Sequence, residues 1–203
     1  PDAIRGSVYV PSSALAGGAY LANALLRDAS QDGAVRSVGH TAVTDIEVQD
    51  GRVVAVLTDN PELPRIACEA VLLCTNVWGP LLGEKLGIEV PLMPCEHQYA
   101  FTEPLPELAR FDPNNRADEV IWPTARIQDI VTYFRQHWNT FGIGNYWHKP
   151  LLVKPRELGR TAMNPFTPDD LTQSWARAQE IFPAFQGKTI SRAEGGFSYE
   201  GKR

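Results

Sequence analysis

The residues best suited to chemistry lie between Val90 and Thr102, where His97, Tyr99 and Phe101 alternate with Glu96, Gln98 and Ala100. On a strand this alternation places the imidazole and its aromatic neighbours on one face and the other three residues on the opposite face. An imidazole titrates near neutral pH and can take or give a proton. A histidine on an aromatic face also serves as a hydrogen-bonded packing residue, so the pattern alone supports both readings. Farther on, Tyr133 sits in an aromatic-rich strand pattern that by itself suits packing. Arg126 and Arg135 can each grip a carboxylate in bidentate fashion or end a strand in solvent. Tyr146 and His148 alternate and reach the same side of their strand, with a structural role as the plainer reading. His40 and His137 have no evident partner in the sequence, and the acidic residues show no paired-carboxylate spacing.

Other chemistries are disfavoured. Cys68, Cys74 and Cys95 are odd in number and lack CxxC spacing, which points to reduced thiols in a cytosolic protein and implies no metal. A formal charge of -5 with no long basic run argues against nucleic acid or an anionic membrane as the main partner. Hydrophobic residues make up 43% of the 203 positions, enough for a real core. No apolar run approaches the ~20 residues that cross a bilayer. The first residue is Pro1 and the last stretch runs on as if toward a further turn, so an excised piece of a longer chain is expected.

The elements that must position these residues read as follows. A short strand is expected over residues 6–11, then a helix capped by Ser12 or Ser13 and carrying Leu15, Tyr20, Leu21, Ala24, Leu25 and Ala29. Strands are expected over 34–38, 41–48 and 52–58, the last two joined as a hairpin by Asp50-Gly51. Residues 68–75 form an apolar run suited to a buried parallel strand, with a loop from Asn76 to Pro80 at its carboxyl end, the edge at which open α/β sheets bind ligands. From Pro91 the pattern becomes antiparallel, with strands over 119–122, 130–135 and 141–147, a helix over 168–182 and a last strand over 190–199. No GxGxxG fingerprint occurs, so the usual pyrophosphate cradle is missing, and Gly142-Ile-Gly144 reads as a strand bend.

Taken in order, the Thr41–Val43 strand start, the hairpin, the loop at Trp78, the prolines before His97-Gln98-Tyr99, Tyr133-Phe134-Arg135, the 142–150 segment and Gly195-Gly196-Phe197-Ser198 resemble a known family. The resemblance is to the FAD-dependent amine oxidoreductases of the D-amino acid oxidase superfamily, in particular the dimethylglycine and sarcosine oxidases and dehydrogenases. It implies an α/β (α+β mixed) fold in which a partial Rossmann-like FAD-binding domain, residues 1–86, is interleaved with an antiparallel-sheet substrate domain, residues 87–203. It implies FAD as cofactor, a small amine or amino acid as substrate, and the remaining FAD-domain segments of a parent chain as partners. By correspondence it makes His97 and Tyr133 active-site residues and puts Val43, Thr75, Asn76 and Trp78 near the cofactor. Thr75 and Asn76 replace the small Ala-Gly pair of the family, a departure in which a bulkier Asn crowds the flavin unless the loop shifts. The expected activity is hydride transfer from an N-methyl carbon in the parent protein, with the isolated fragment binding FAD poorly. A family-derived binding or assembly module is the competing expectation, and a flavoprotein of the same fold acting on a bulkier amine is a third.

Overall fold

Period-two alternation of apolar and polar residues organises two antiparallel sheets in the computed structural model, which describes residues 4–108, 110–146, 151–159, 162 and 164–201, with side chains described to Ser191. The chain divides into two compact units, Asp2–Leu72 and Leu73–Arg203.

In the first unit, helix α1 spans Gly18–Ser30 and has no buried residue. Its start differs from expectation: Ser12 and Ser13 do not cap it, and the Ser13 N–H instead closes a turn on the Val10 carbonyl at 3.1 Å. Gly17 and Gly18, which disfavour a helix interior, mark where the helix can begin. Strands β1 (Val43–Gln49), β2 (Arg52–Thr58) and β3 (Arg65–Ala67) follow as an antiparallel meander. Gln49 pairs with Arg52, and the two residues between them take left-handed backbone, Asp50 at φ 49° and Gly51 at φ 75°. Positive φ at both turn positions matches the twist of the flanking strands, which is why Asp-Gly marks this hairpin in sequence. Ile46 and Ala55 are the buried residues of the sheet.

Three expected strands are absent. Residues 6–11, 34–38 and 68–75 are irregular, and Leu72 is 88% exposed. Strands exist by pairing, and apart from the Cys68 N–H, which donates to the Val54 carbonyl of β2 at 3.1 Å, none of these runs pairs with a strand among the described residues, whatever its apolar content. A fourth, over residues 119–122, is replaced by a 3-10 turn at Arg116–Glu119 followed by exposed Ile121 and Trp122.

In the second unit a 3-10 turn, Asn76–Trp78, leads into α2 (Gly79–Lys85) and then β4 (Leu92–Thr102). After it come β5 (Ala125–Ile127), β6 (Thr132–His137), β7 (Thr140–Asn145), β8 (Leu151–Leu152), helix α3 (Asp169–Ile181) and β9 (Ile190–Gly201). The sheet runs β5-β6-β7-β4-β8, with β9 also on β4 and every pairing antiparallel. The mixed helix and antiparallel-sheet class is therefore as the sequence indicated, without a parallel strand among the described residues.

The two faces of this sheet differ. On one, Leu105, Leu108, Phe134, Ile143, Ala178 and Phe185 form the core, with Trp175 and Phe182 of the α3 region packed against it. The stripe Leu171, Trp175, Ala178 and Phe182 is thus a core stripe, and Asp169 and Asp170 occupy the first turn of α3, where its dipole favours negative charge. Buried polar groups tie the same face to the segment before α3. Gln98 accepts from the Thr167 N–H at 2.8 Å and donates to Glu96 at 2.7 Å, while Glu96 accepts from Asn164 at 2.9 Å. The other face is half-open and carries His97, Tyr99, Tyr133, Arg135 and His137.

Candidate active site

Strand register brings the aromatic residues of the half-open face together. Arg126 on β5 pairs with Tyr133 on β6, Tyr133 with Gly144 on β7, and Gly144 with Tyr99 on β4. Directly paired residues share a face, so these four form one row across four strands. In the next row Arg135 pairs with Gly142, and Gly142 with Phe101.

The two glycines make this row possible. A Cβ built on Gly144 would overlap the ring of Tyr133, and one built on Gly142 would overlap the hydroxyl end of Tyr99. Each tyrosine therefore lies flat over a bare stretch of β7 backbone, a close approach that only glycine permits. Gly142-Ile-Gly144 is neither a phosphate loop nor the strand bend expected from sequence; it pairs regularly within the sheet and serves as a floor for two phenol rings.

On that floor Tyr99 and Tyr133 stack at 5.9 Å and 27°, and Tyr146 lies 5.6 Å from Tyr133. The His97 ring meets Tyr146 edge-on at 4.4 Å and 74°. Arg126 places its guanidinium carbon 5.6 Å from the centre of the Tyr146 ring, a cation–π distance, and its Nε donates to Gln128 at 3.1 Å. The structure thus gathers His97 and Tyr133 in one cluster through Tyr146. His148, the other residue read as reaching this side, lies outside the described residues.

Burial, reinforced by Tyr146 and Tyr99, pushes the Tyr133 hydroxyl above the ordinary tyrosine range, with Arg126 opposing in part. Tyr133 is consequently a neutral phenol around pH 7, a hydrogen-bond donor rather than a base. That leaves the imidazole of His97 as the proton acceptor of the pair.

Two residues set aside in the sequence are partnered here. Arg135 donates to Glu119 at 2.8 Å and is committed to that ion pair rather than open to a carboxylate ligand. Nε2 of His137 lies 2.8 Å from the Tyr99 hydroxyl, and Nδ1 lies 3.8 Å from Glu119. A readable signal existed for His137, since Tyr133, Arg135 and His137 alternate and must share a face. None existed for Glu119, which arrives from a 3-10 turn. His40, in contrast, is exposed with left-handed backbone at φ 52°.

The residues expected near a cofactor fall in different places. Thr75 and Asn76 line a cleft of 450 Å³ together with Leu73, Gly79, Val90 and Leu92. Trp78 is not among its lining residues; half-buried, it ends the 3-10 turn and stands at the N-cap of α2. Val43 opens β1 in the other unit, is 41% exposed and pairs with Thr58. Asn76 has φ 48°, left-handed backbone that Asn adopts more readily than other non-glycine residues. Asn76 therefore stands at a position of positive φ without the penalty a β-branched residue would meet there. Thr75 Oγ1 is buried with no hydrogen-bond partner among the described residues. An orphaned hydroxyl at an apolar cleft suits a ligand bearing polar atoms. A space of this volume takes one drug-sized portion of a dinucleotide, so these residues fit part of FAD and not the whole of it. No group of His, Cys, Asp and Glu that could hold a metal occurs among the described residues, and no described helix is long and apolar enough to cross a membrane.

Comparison with known proteins adds an independent line. A family model described as DAO, FAD dependent oxidoreductase, matches residues 1–199. The chain is 35% identical over 101 residues to the mitochondrial pyruvate dehydrogenase phosphatase regulatory subunit of Mus musculus, covering 49% of this chain and 11% of that protein. It is 31% identical over 118 residues to the D-amino acid dehydrogenase of Rhizobium johnstonii, covering 58% of this chain and 27% of that protein. Among solved structures, L-proline dehydrogenase from P. horikoshii superposes with a TM-score of 0.59 at 22% identity, over 81% of this chain and 38% of that one. Iminodiacetate oxidase from Chelativorans sp. BNC1 superposes with a TM-score of 0.60 at 16% identity, over 92% of this chain and 44% of that one. These likenesses show a shared fold. The chain spans less than half the length of each of these relatives.

Proposed function

The chain belongs to the FAD dependent oxidoreductase family, and from that premise we propose that its parent protein oxidises a small N-methylated amino acid of the sarcosine or dimethylglycine type. The observation that carries this reading is the His97–Tyr146–Tyr133 cluster on the half-open sheet face, with neutral Tyr133 joined to the imidazole through the Tyr146 ring.

An amino acid arrives as an ammonium ion, whose nitrogen has no lone pair to release. Oxidation at the adjacent carbon needs that proton removed, and His97 takes it at its imidazole nitrogen. Tyr133, held neutral, donates to the substrate carboxylate and fixes its orientation, and Arg126 adds positive charge at the rim of the same cluster. When bound, the flavin supplies the two-electron acceptor for the hydride leaving the N-methyl carbon. Thr75 and Asn76 would hold part of that cofactor at their cleft, the resemblance assigns Val43 and Trp78 to its surroundings, and the remaining FAD-domain segments of the parent chain would complete its site. The names of the relatives support an aminocarboxylate substrate in general: D-amino acid dehydrogenase, L-proline dehydrogenase and iminodiacetate oxidase. Resemblance of the ordered motifs supports the N-methylglycine type in particular.

The test is the visible spectrum of the full-length protein, recorded without oxygen before and after adding sarcosine, dimethylglycine, L-proline or iminodiacetate. Bleaching of the oxidised flavin band by the N-methylated pair, and its slowing by at least about a hundredfold in His97→Ala, is expected. Bleaching by the other amines alone would move the substrate class.

A second reading has one observation in its favour, the 35% identity to a protein named as a phosphatase regulatory subunit. On that reading the fold is kept as a binding or assembly module. Full-length protein that takes up no flavin on reconstitution with FAD would select it.

A further inference from the structure

Tyr99 is held as a group with work to do on this face. Its hydroxyl is 2.8 Å from His137 Nε2, and His137 Nδ1 is 3.8 Å from Glu119 Oε1. Glu119 is itself fixed from three sides. Arg135 donates to it at 2.8 Å, Arg116 at 3.1 Å, and the Trp138 N–H donates to its backbone carbonyl at 3.0 Å. The three side chains come from β4, β6 and the Arg116–Glu119 turn, elements far apart in sequence. His137 and Glu119 are 19% and 18% exposed, so the assembly is shielded from bulk water without being sealed in the core. A tyrosine needed only for packing would not call for this arrangement, because phenylalanine stacks equally well over glycine. Phe101, two residues on, packs with no polar group of its own, edge-on to Tyr99 at 5.1 Å and to His137 at 5.0 Å.

We propose that Tyr99 is a third substrate-contacting group of the His97–Tyr133 face and that His137 and Glu119 are positioning residues that set the direction of its hydroxyl. This rests on the amine-oxidising reading above. At 3.8 Å Glu119 does not accept a hydrogen bond from the ring, but its negative charge lies on the Nδ1 side and favours the neutral tautomer with its proton on Nδ1. Nε2 then carries the lone pair and accepts the Tyr99 O–H. With its hydrogen so committed, the phenol oxygen presents lone pairs, which match the N–H groups of an amine. When His137 is protonated both ring nitrogens donate, Nε2 donates to the phenol oxygen, and the Tyr99 hydrogen turns outward to match a carboxylate instead. Glu119, 3.8 Å from the imidazole, favours the protonated ring, and Arg135 and Arg116, both paired with Glu119, oppose it; Tyr99 is the neighbouring phenol. Amine recognition by Tyr99 is therefore present above the ionisation of His137 and is lost as the pH falls through it.

The experiment uses the full-length flavin-loaded protein and two ligands, sarcosine and methoxyacetate, an isostere that replaces N–H₂⁺ by ether oxygen and so has no N–H to offer. Steady-state kcat/KM for sarcosine and the Kd for methoxyacetate, read from the flavin spectrum, are measured across pH for wild type, Tyr99→Phe, His137→Gln and Glu119→Gln. Tyr99→Phe should weaken sarcosine by on the order of tenfold at the upper end of the range and leave methoxyacetate unchanged there. His137→Gln should delete one ionisation from the kcat/KM profile, and Glu119→Gln should move that ionisation to lower pH. Equal weakening of both ligands by Tyr99→Phe, or an unchanged pH profile in His137→Gln, overturns the proposal while the amine-oxidising reading stands. Failure of every aminocarboxylate to bleach the wild-type flavin overturns both, and is distinguished by appearing before any substitution is made.

Discussion

Gly144 is the residue on which the candidate site most depends without touching any ligand. A Cβ there would overlap the ring and hydroxyl of Tyr133, so Gly144→Ala must turn Tyr133 off the sheet or shift β7. Overpacking of this kind costs about 1–3 kcal/mol, to be read as a loss in denaturant unfolding, and it should lower flavin reduction by N-methylated substrate as far as Tyr133→Phe does. Asn76 gives the opposite lesson. Its backbone is left-handed, so Asn76→Gly should be stable to within about 1 kcal/mol of the parent, while Asn76→Val should lose about 1–2 kcal/mol, because a β-branched residue resists positive φ. Equal stabilities would contradict the backbone assignment. Tyr133 carries the pH prediction. Its folded-state pKa lies above that of an exposed tyrosine, so the unfolded chain releases this proton first as alkali is added. Stability is unaffected by Tyr133 below about pH 10 and declines above it, and Tyr133→Phe should remove that part of the decline. Absorbance at the phenolate band should show one tyrosine titrating above the ordinary tyrosine range, and Tyr133→Phe should remove it.

At the scale of elements, β4 joins the site to the core. Its odd-numbered residues from His97 to Phe101 face the cluster, and its even-numbered residues Glu96 and Gln98 tie down the segment before α3. Gln98→Met keeps the volume but leaves the Thr167 N–H and the Glu96 carboxylate short of a partner. The expected cost is about 1–3 kcal/mol in unfolding, with hydrogen exchange at Thr167 accelerated more than at Ala178 in α3. This element was legible in the sequence because period-two alternation is a local signal, as were α3 and the Asp50-Gly51 hairpin, whose turn chemistry is written in two adjacent residues. The run at 68–75 misled for the converse reason. Apolar composition reports what a segment would bury, whereas strand formation depends on a neighbour that composition does not name. The glycine floor was also misread, since Gly142 and Gly144 look like a bend until the register sets each against a tyrosine. Of the residues expected near a cofactor, Thr75 and Asn76 share a cleft while Trp78 does not line it, and the Glu119–His137–Tyr99 assembly could not be read because it closes through tertiary contacts.

At the scale of the whole molecule, burial is unevenly distributed, and stability must follow it. β4 is flanked by β9 along its length on one edge and by β7 and β8 on the other, and its Gln98, Ala100 and Thr102 are wholly buried. Helix α1 has 13 residues and no buried one, with Tyr20, Leu21 and Leu25 between 51% and 62% exposed. A helix of this length without tertiary packing is marginal in water, because propagation barely offsets the cost of nucleation. Hydrogen exchange of the 203-residue chain should therefore find the amides of β4 and β7 opening only with global unfolding, and those of α1 exchanging with little protection. Protection of α1 equal to that of β4 would require a covering partner that supplies what this chain's own contacts do not. The same measurement on the full-length protein then becomes informative about assembly. Where α1 gains protection only in the longer chain, the apolar stripe of the helix is an interdomain surface, and the exposed leucines that look unfavourable in the shorter chain are explained by what packs on them.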